Sequence, residues 1–502
     1  MKQHKGLLLG IDIGTTGTKC TFYYTDGTVA AHAYQEYPMI CPEPGWAEQN
    51  PEVWWQAVCS SLKTCFAKQH VEAGQVLSIG LSCTNAVVLV DFNGKPVYNA
   101  IGLRDNRAGE QVEWLKEQVG DSYVREITAN HIAGGSFTLP TLRWMIDHRP
   151  HLVERAYKFL MPDGYIIQRL TGQFTINRPR MSFTLLSDIK TGEWSDKLIE
   201  RSQFPRRLLP EPFNPADIVG TVTKEAAAAT GLAAGTKVTA GCLDTAAASC
   251  GSGAVSPGDF AITMGSSGRI CYISEQPIYD SRFLNCPTAL GGLYAVIQST
   301  DNCGVSLRWF RDLFGKAVQD EAHEAGLSVY DYFNRLAEQS KAGAGGLLYL
   351  PYLSGEKSPI WNPDAKGVFF GLSIKSSYGD CVRAIMEGVA YSIRDCMNTV
   401  IHNSPPPELI PLGGGIGKST IWCQIMADVL GCKILKLENS ETETLGDMIV
   451  AAQSINLQEI PCDFGKKHAS GTILIPDGSC RQIYEEGFRK YKSLYESLKP
   501  LF

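Results

Sequence analysis

The chain has 502 residues, 44% of them apolar and 20% charged, with 46 Lys and Arg against 52 Asp and Glu for a net charge of −6. This is the composition of a soluble globular protein long enough for two large domains or about three average ones. Disorder is excluded as a dominant theme, and the acidic balance argues against a nucleic-acid surface. No apolar run approaches the roughly 18 residues of a membrane helix, and no signal peptide is visible behind Met1. The sixteen cysteines never form a Cys-x-x-Cys pair, so reduced, mostly buried thiols in a cytoplasmic protein are expected.

Leu7-Leu8-Leu9-Gly10-Ile11-Asp12-Ile13 predicts a buried strand, ended by Gly14-Thr15-Thr16-Gly17-Thr18. Cys20, Phe22 and Tyr24 alternate with polar positions as a second strand does. Asp26-Gly27 is a hairpin signal, and Val29 to Tyr34 predicts a third strand. Asn50-Pro51 predicts a helix start, with Trp54, Val58, Leu62 and Cys65/Phe66 at helical spacing. Strands are expected over 76–81 and 87–91, and helical and strand signals go on alternating, so the fold class is α/β. Half a chain length after Gly14-Thr15-Thr16-Gly17, Gly265-Ser266-Ser267-Gly268 follows the apolar run Phe260-Ala261-Ile262-Thr263-Met264. A strand and then a Gly/hydroxyl turn, once in each half, suggests two copies of one fold with a cleft between them. The Ser/Gly/Pro-rich stretch 249–258 marks the division, giving domains 1–249 and 250–502. Pro405-Pro406-Pro407 reads as a stiff connector.

Three motifs carry chemistry. In Asp12-Ile13-Gly14-Thr15-Thr16-Gly17-Thr18-Lys19, glycines let backbone amides approach a phosphate, hydroxyls add donors and Lys19 neutralises charge. Asp12 at the strand end suits Mg²⁺ held through water. The plainer alternative is a hairpin turn with a surface lysine. In Gly241-Cys242-Leu243-Asp244-Thr245-Ala246-Ala247 an isolated acid fits a general base that takes a hydroxyl proton during phosphoryl transfer. It equally fits a helix N-cap. The turn Gly413-Gly414-Gly415 lies between a strand and a helix beginning near Ser419, as an anion or nucleotide site would, or as a tight turn without a ligand. Gly417-Lys418-Ser419 is no P-loop, because Leu412 stands where its first glycine is required.

Taken together the motifs resemble the FGGY family of carbohydrate kinases, in the sugar kinase/actin/Hsp70 superfamily. The resemblance spans nearly the whole chain: 10–19, Pro44-Gly45-Trp46-Ala47-Glu48-Gln49-Asn50-Pro51, Asp105-Asn106-Arg107, 241–247, 265–268, 350–359, 367–372 and 413–415. It implies two ribonuclease H-like domains around a cleft, the first sugar-binding and the second nucleotide-binding. It also implies ATP and Mg²⁺ as cofactors and a small carbohydrate as substrate. Asp244 falls on the family's general base, which also meets the substrate, and Asp12 on the acid near the metal. Thr15, Thr16, Gly17 and Lys19 fall on the phosphate loop. Gly265, Ser266 and Ser267 fall on the second phosphate contact, Gly414 and Gly415 along the nucleotide, and Asp105 on the sugar-hydroxyl ligand. Family members are often dimers, so a homodimer is the corresponding expectation, with no nucleic-acid or membrane partner.

Departures from the pattern bear on the substrate. A Met-His pair common in xylulokinase-like and gluconokinase-like members is absent from Ser82-Cys83-Thr84-Asn85-Ala86, where Asn85 is either a hydrogen-bond partner of the sugar or a turn residue. Leu103 stands in place of a Trp before Asp105, and Thr141 in place of a Lys. Glu443-Thr444 and Asp447-Met448 replace small residues. The expected reaction is phosphorylation of a ketose hydroxyl, D-xylulose first. Gluconate, another sugar acid, a polyol or a linear signal molecule are the alternative acceptors, and a non-catalytic sugar sensor is the alternative to catalysis.

Overall fold

Leucine and isoleucine side chains drive the first strand into the core: β1 (Leu7–Ile13) is buried along its whole length. In the computed structural model, which describes residues 6–68, 71–401, 406–438 and 441–502, it pairs antiparallel with β2 (Gly17–Tyr24), Ile13 facing Thr18. β2 in turn pairs antiparallel with β3 (Val29–Glu36), through a turn in which Gly27 takes φ 83°. Beyond β4 (Glu48–Gln49), the predicted helix runs as α1 (Pro51–Lys68) and its Trp54, Val58 and Leu62 are buried. β5 (Val76–Cys83) is parallel to β1, a pairing that needs a crossover, and α1 lies in that connection. β6 (Ala86–Val90) and β7 (Ala100–Gly102) belong to a smaller sheet that includes β4. Pro405 of the predicted connector lies outside the described residues.

The chain forms two compact units. The first holds residues up to Pro257 together with Ile273–Val296 and Glu441–His468. Its sheet extends past β5 to the strand Lys237–Thr239, while Cys242–Leu243 pairs parallel with the end of β5. The helix Thr442–Gln453 lies flat on this sheet because two strand residues lack side chains. A Cβ at Gly80 would come within 2.0 Å of the Asp447 carbonyl, and one at Gly10 within 2.4 Å of that of Thr444. Any other residue at either position would lift the helix off the sheet.

The second unit repeats the path. Phe260–Met264 and Gly268–Ser274 form a hairpin with Met264 facing Gly268, and Leu409–Gly413 lies parallel to the first of them. Lys433–Leu437 and Gly471–Leu474 continue the sheet. Its core is built from Ile262, Met264, Leu412 and Ile425 with Val389 and Tyr391 of the helix Tyr378–Ile401. The half-length repeat seen in the sequence is therefore a repeat of structure, and the fold is the α/β two-domain actin-like ATPase fold. Most of the sixteen cysteines are buried, as expected. Among the described residues no helix is long and apolar enough to cross a membrane.

Candidate functional site

Sheet register assembles the acidic centre of the first unit. Asp12 at the end of β1 faces Lys19 across one ladder and Ser82 across the other. Cys242 and Leu243 pair with Ser82 and Cys83, which delivers Asp244 to the same end of the sheet as the first residue of the helix Asp244–Gly251. The N-cap position itself is Leu243, without a side-chain cap. Asp244 instead folds Oδ1 onto the Thr245 N–H (2.7 Å) and hydroxyl (3.2 Å). Its side chain is 35% exposed, and Oδ2 has no partner among the described residues.

Asp12 is buried, and its Oδ1 receives the Ser82 hydroxyl at 3.3 Å. Burial, then the neighbouring Glu443, hold its carboxyl well above the usual range. Ser82 also lies 3.0 Å from Asp447 Oδ2. Asp447 is fully buried with Oδ1 unpartnered, and burial pushes its carboxyl up as well. The two acidic departures noted at 443 and 447 thus point, one helical turn apart, at the Asp12 end of the sheet. Lys19 pairs with Glu441 at 2.9 Å and reaches Glu443 at 3.9 Å. Despite the cost of burial, these carboxylates and Asp12 raise its affinity for its proton. In the loop, Thr15 Oγ1 meets the Thr84 hydroxyl at 3.0 Å and Thr16 is exposed. The Gly14 N–H bonds back to the Gly17 carbonyl, closing the turn.

Asp105 is held by four bonds. Arg107 donates from N and Nε to Oδ1 and from Nη2 to Oδ2 (2.7 Å), and the Ala47 N–H donates to Oδ2 at 2.6 Å. Arg107 also pairs with Glu48 at 2.8 Å, and Glu48 accepts from Tyr98 and Asn99. The Trp46 ring lies 3.7 Å from the Arg107 guanidinium, with Trp144 edge-on to Trp46, so aromatic cover exists here although Leu103 is not a Trp. Both Asn85 amide hydrogens are committed, to the Gly135 and Ser136 carbonyls at 3.0 Å each, and its Oδ1 is buried without a partner. Asn85 therefore offers an acceptor and no donor.

In the second unit the 265–267 turn rests on the N-terminus of the helix Gly304–Glu324, whose Gly304 and Val305 N–H groups bond to the Gly265 and Ser266 carbonyls. Gly414 takes φ 88°, and a Cβ there would sit 2.5 Å from the Met264 carbonyl, so glycine is required. Gly265 and Gly415 have nothing within 4 Å on their Cβ side. A short 3₁₀ turn, Gly415–Lys418, separates the glycines from the helix Thr420–Leu430, capped by Ser419. Asp12, Thr15, Thr16, Gly17, Lys19, Asn85, Asp105 and Asp244 lie in the first unit, and Gly265, Ser266, Ser267, Gly414 and Gly415 in the second. One charged neighbour was not foreseen: Arg180, buried, with Nη2 4.0 Å from Asp244 Oδ1. Its signal in the sequence is slight, a cation three residues after a capping Asn177.

Residues 7–251 match the N-terminal domain, and 260–455 the C-terminal domain, of the FGGY family of carbohydrate kinases. The chain is 30% identical to a xylulose kinase of Bacillus subtilis over 98% of its own length and 97% of the relative's. It is 30% identical to a gluconokinase of the same organism over 88% and 86%. A solved xylulose kinase from Rhodospirillum rubrum superposes with a TM-score of 0.87 at 29% identity, covering 99% of each chain.

Proposed function

The chain belongs to the FGGY family of carbohydrate kinases and is a phosphotransferase acting on a carbohydrate with ATP; from this premise we propose that its acceptor is a ketose, D-xylulose first, and that Asp244 is the general base. The observation that carries the reading is Asp244 itself: one carboxylate oxygen accepts hydrogen bonds from Thr245 and the other is unpartnered on a partly exposed side chain. The sugar hydroxyl gives its proton to that free oxygen as its own oxygen bonds to the γ-phosphorus, and the bond from phosphorus to the β–γ bridging oxygen breaks. ADP leaves with the electron pair. Asp105, immobilised by Arg107 and Ala47, orients the sugar, and Asn85 Oδ1 accepts a second hydroxyl.

A neutral acceptor is favoured over a sugar acid because Arg107, the cation beside Asp105, is already committed to Asp105 and Glu48. Thr15, Thr16 and Gly17 line one phosphate contact, with Lys19 behind them in its glutamate pair. Gly265, Ser266, Ser267, Gly414 and Gly415 serve the nucleotide. Mg²⁺ fits the donor chemistry, since Asp12, Glu443 and Asp447 present hard oxygens and the buried Asp447 Oδ1 has no hydrogen-bond partner. Among the described residues no three acids stand close enough to cage a metal, so Asp12 would hold Mg²⁺ through water. Bound there, the ion neutralises phosphate charge.

The test is ADP release from Mg-ATP across D-xylulose, other ketoses, polyols and D-gluconate. D-Xylulose is expected to give the highest kcat/KM. A clear preference for gluconate would overturn the ketose assignment.

A further inference from the structure

Arg180 is unusual among buried charges. The short helix Arg178–Ser182 carries it, with Asn177 accepting its backbone N–H at 2.9 Å. Nη2 donates to the Cys83 carbonyl, Nε and Nη1 have no partner, and the Phe183 ring lies 6.0 Å away. A guanidinium stripped of water with donors unfilled is destabilising, so it is no stabilising device. Two carboxylates feel its charge. Asp163 is buried, and its oxygens are satisfied by the Gly164 N–H (2.8 Å) and the Asn177 amide (2.7 Å). Asp244, at 4.0 Å, is the partly exposed one and has room to move.

We propose that Arg180 is a positioning residue for Asp244: when sugar is bound, Asp244 Oδ1 closes from 4.0 Å onto the guanidinium, which fixes the carboxylate plane and leaves Oδ2 to the sugar hydroxyl. Hydrogen bonds between charged groups are strong and directional where water is excluded, and catalytic contacts are commonly long before substrate arrives. Arg180 keeps its protons throughout and touches no reacting atom. The inference rests on Asp244 being the general base.

The experiment is a double-mutant cycle of Arg180→Met and Asp244→Asn, assayed at saturating Mg-ATP with D-xylulose and D-gluconate, with Arg180→Lys as the conservative variant. Arg180→Met is expected to lower kcat by roughly 10- to 100-fold, the scale of a misplaced catalytic group, with KM for sugar and ATP little changed. Arg180→Lys recovers most of the loss, and Arg180→Met costs nothing further in the Asp244→Asn background. Unchanged kcat in folded Arg180→Met, or an equal loss in both backgrounds, overturns the proposal. So does a rise in KM confined to gluconate, which would make Arg180 a reader of a substrate carboxylate. Normal turnover by Asp244→Asn alone overturns the general-base reading instead, which keeps the two failures apart. If Arg180→Met does not fold, Arg180→Gln carries the same comparison.

Discussion

Two buried arginines, one in each unit, show what buried charge is for. On the helix Tyr378–Ile401, Arg383 donates from Nε to Glu387 at 2.8 Å, from Nη1 to the Ala337 and Ser340 carbonyls, and from Nη2 to the Tyr484 hydroxyl. Glu387 also receives the Gly343 N–H and the Tyr484 hydroxyl. All three guanidinium nitrogens are engaged, and the network ties three stretches of the second unit together. Arg180 is more deeply buried and has one filled nitrogen. A charge whose donors are all matched holds a scaffold, whereas one left mostly unmatched beside an acid fits the positioning role proposed for Arg180.

The sharpest way to break this contrast is at the acid. Asp244→Asn should lower kcat by about 10³-fold or more while ATP affinity by isothermal titration stays within about twofold. Full turnover would remove Asp244 from the mechanism.

Next in size, Arg383→Met strands Glu387 and should cost about 3–5 kcal/mol in urea unfolding, with kcat per folded molecule kept. Arg180→Met should cost clearly less stability and more activity. If the two variants lost the same thing, the distinction between them would fall.

Two smaller effects appear as pH dependence, with opposite signs. In the second unit burial pushes the Glu356 carboxyl up to about 7, against an ordinary 4.5, while Thr300 and the Asp301 and Lys357 N–H groups partly offset it. The unfolded chain therefore ionises first, and this group's contribution to stability falls as pH rises from about 4.5 to about 7. Glu356→Gln should erase roughly 2–3 kcal/mol of that slope in urea midpoints taken at pH 5 and 7.5. In the first unit burial pulls His131 down to about 4 from 6.5. There the unfolded chain takes the proton first, so stability is lost as pH falls from about 6.5 towards 4. His131→Gln should flatten that limb by about 1–2 kcal/mol between pH 6.5 and 5, and an unchanged limb would assign it to other groups.

The strands, the first helix, the repeat and the motif glycines were legible in the sequence because hydrophobic period, caps and turn residues act over a few positions. Leu7–Ile13, the Asp26-Gly27 turn and Asn50-Pro51 each carry their own signal. Asp12 and Asp244 stood out in the sequence as acids among apolar and small residues, whereas Asp105, in Arg104-Asp105-Asn106-Arg107, was singled out only by the family resemblance. Their surroundings were not legible. Lys19 reads as a lysine for phosphate, yet it is held by Glu441, more than four hundred residues away in sequence. Glu443 and Asp447 read only as departures that replace small residues, and became neighbours of Asp12 only because Gly10 and Gly80 let that helix lie on the sheet. Arg180 carried almost no local signal. Periodicity reports which face of an element is buried, whereas the partner a buried charge meets is set by contacts closed over long stretches of chain, and these exist only once both sides have packed.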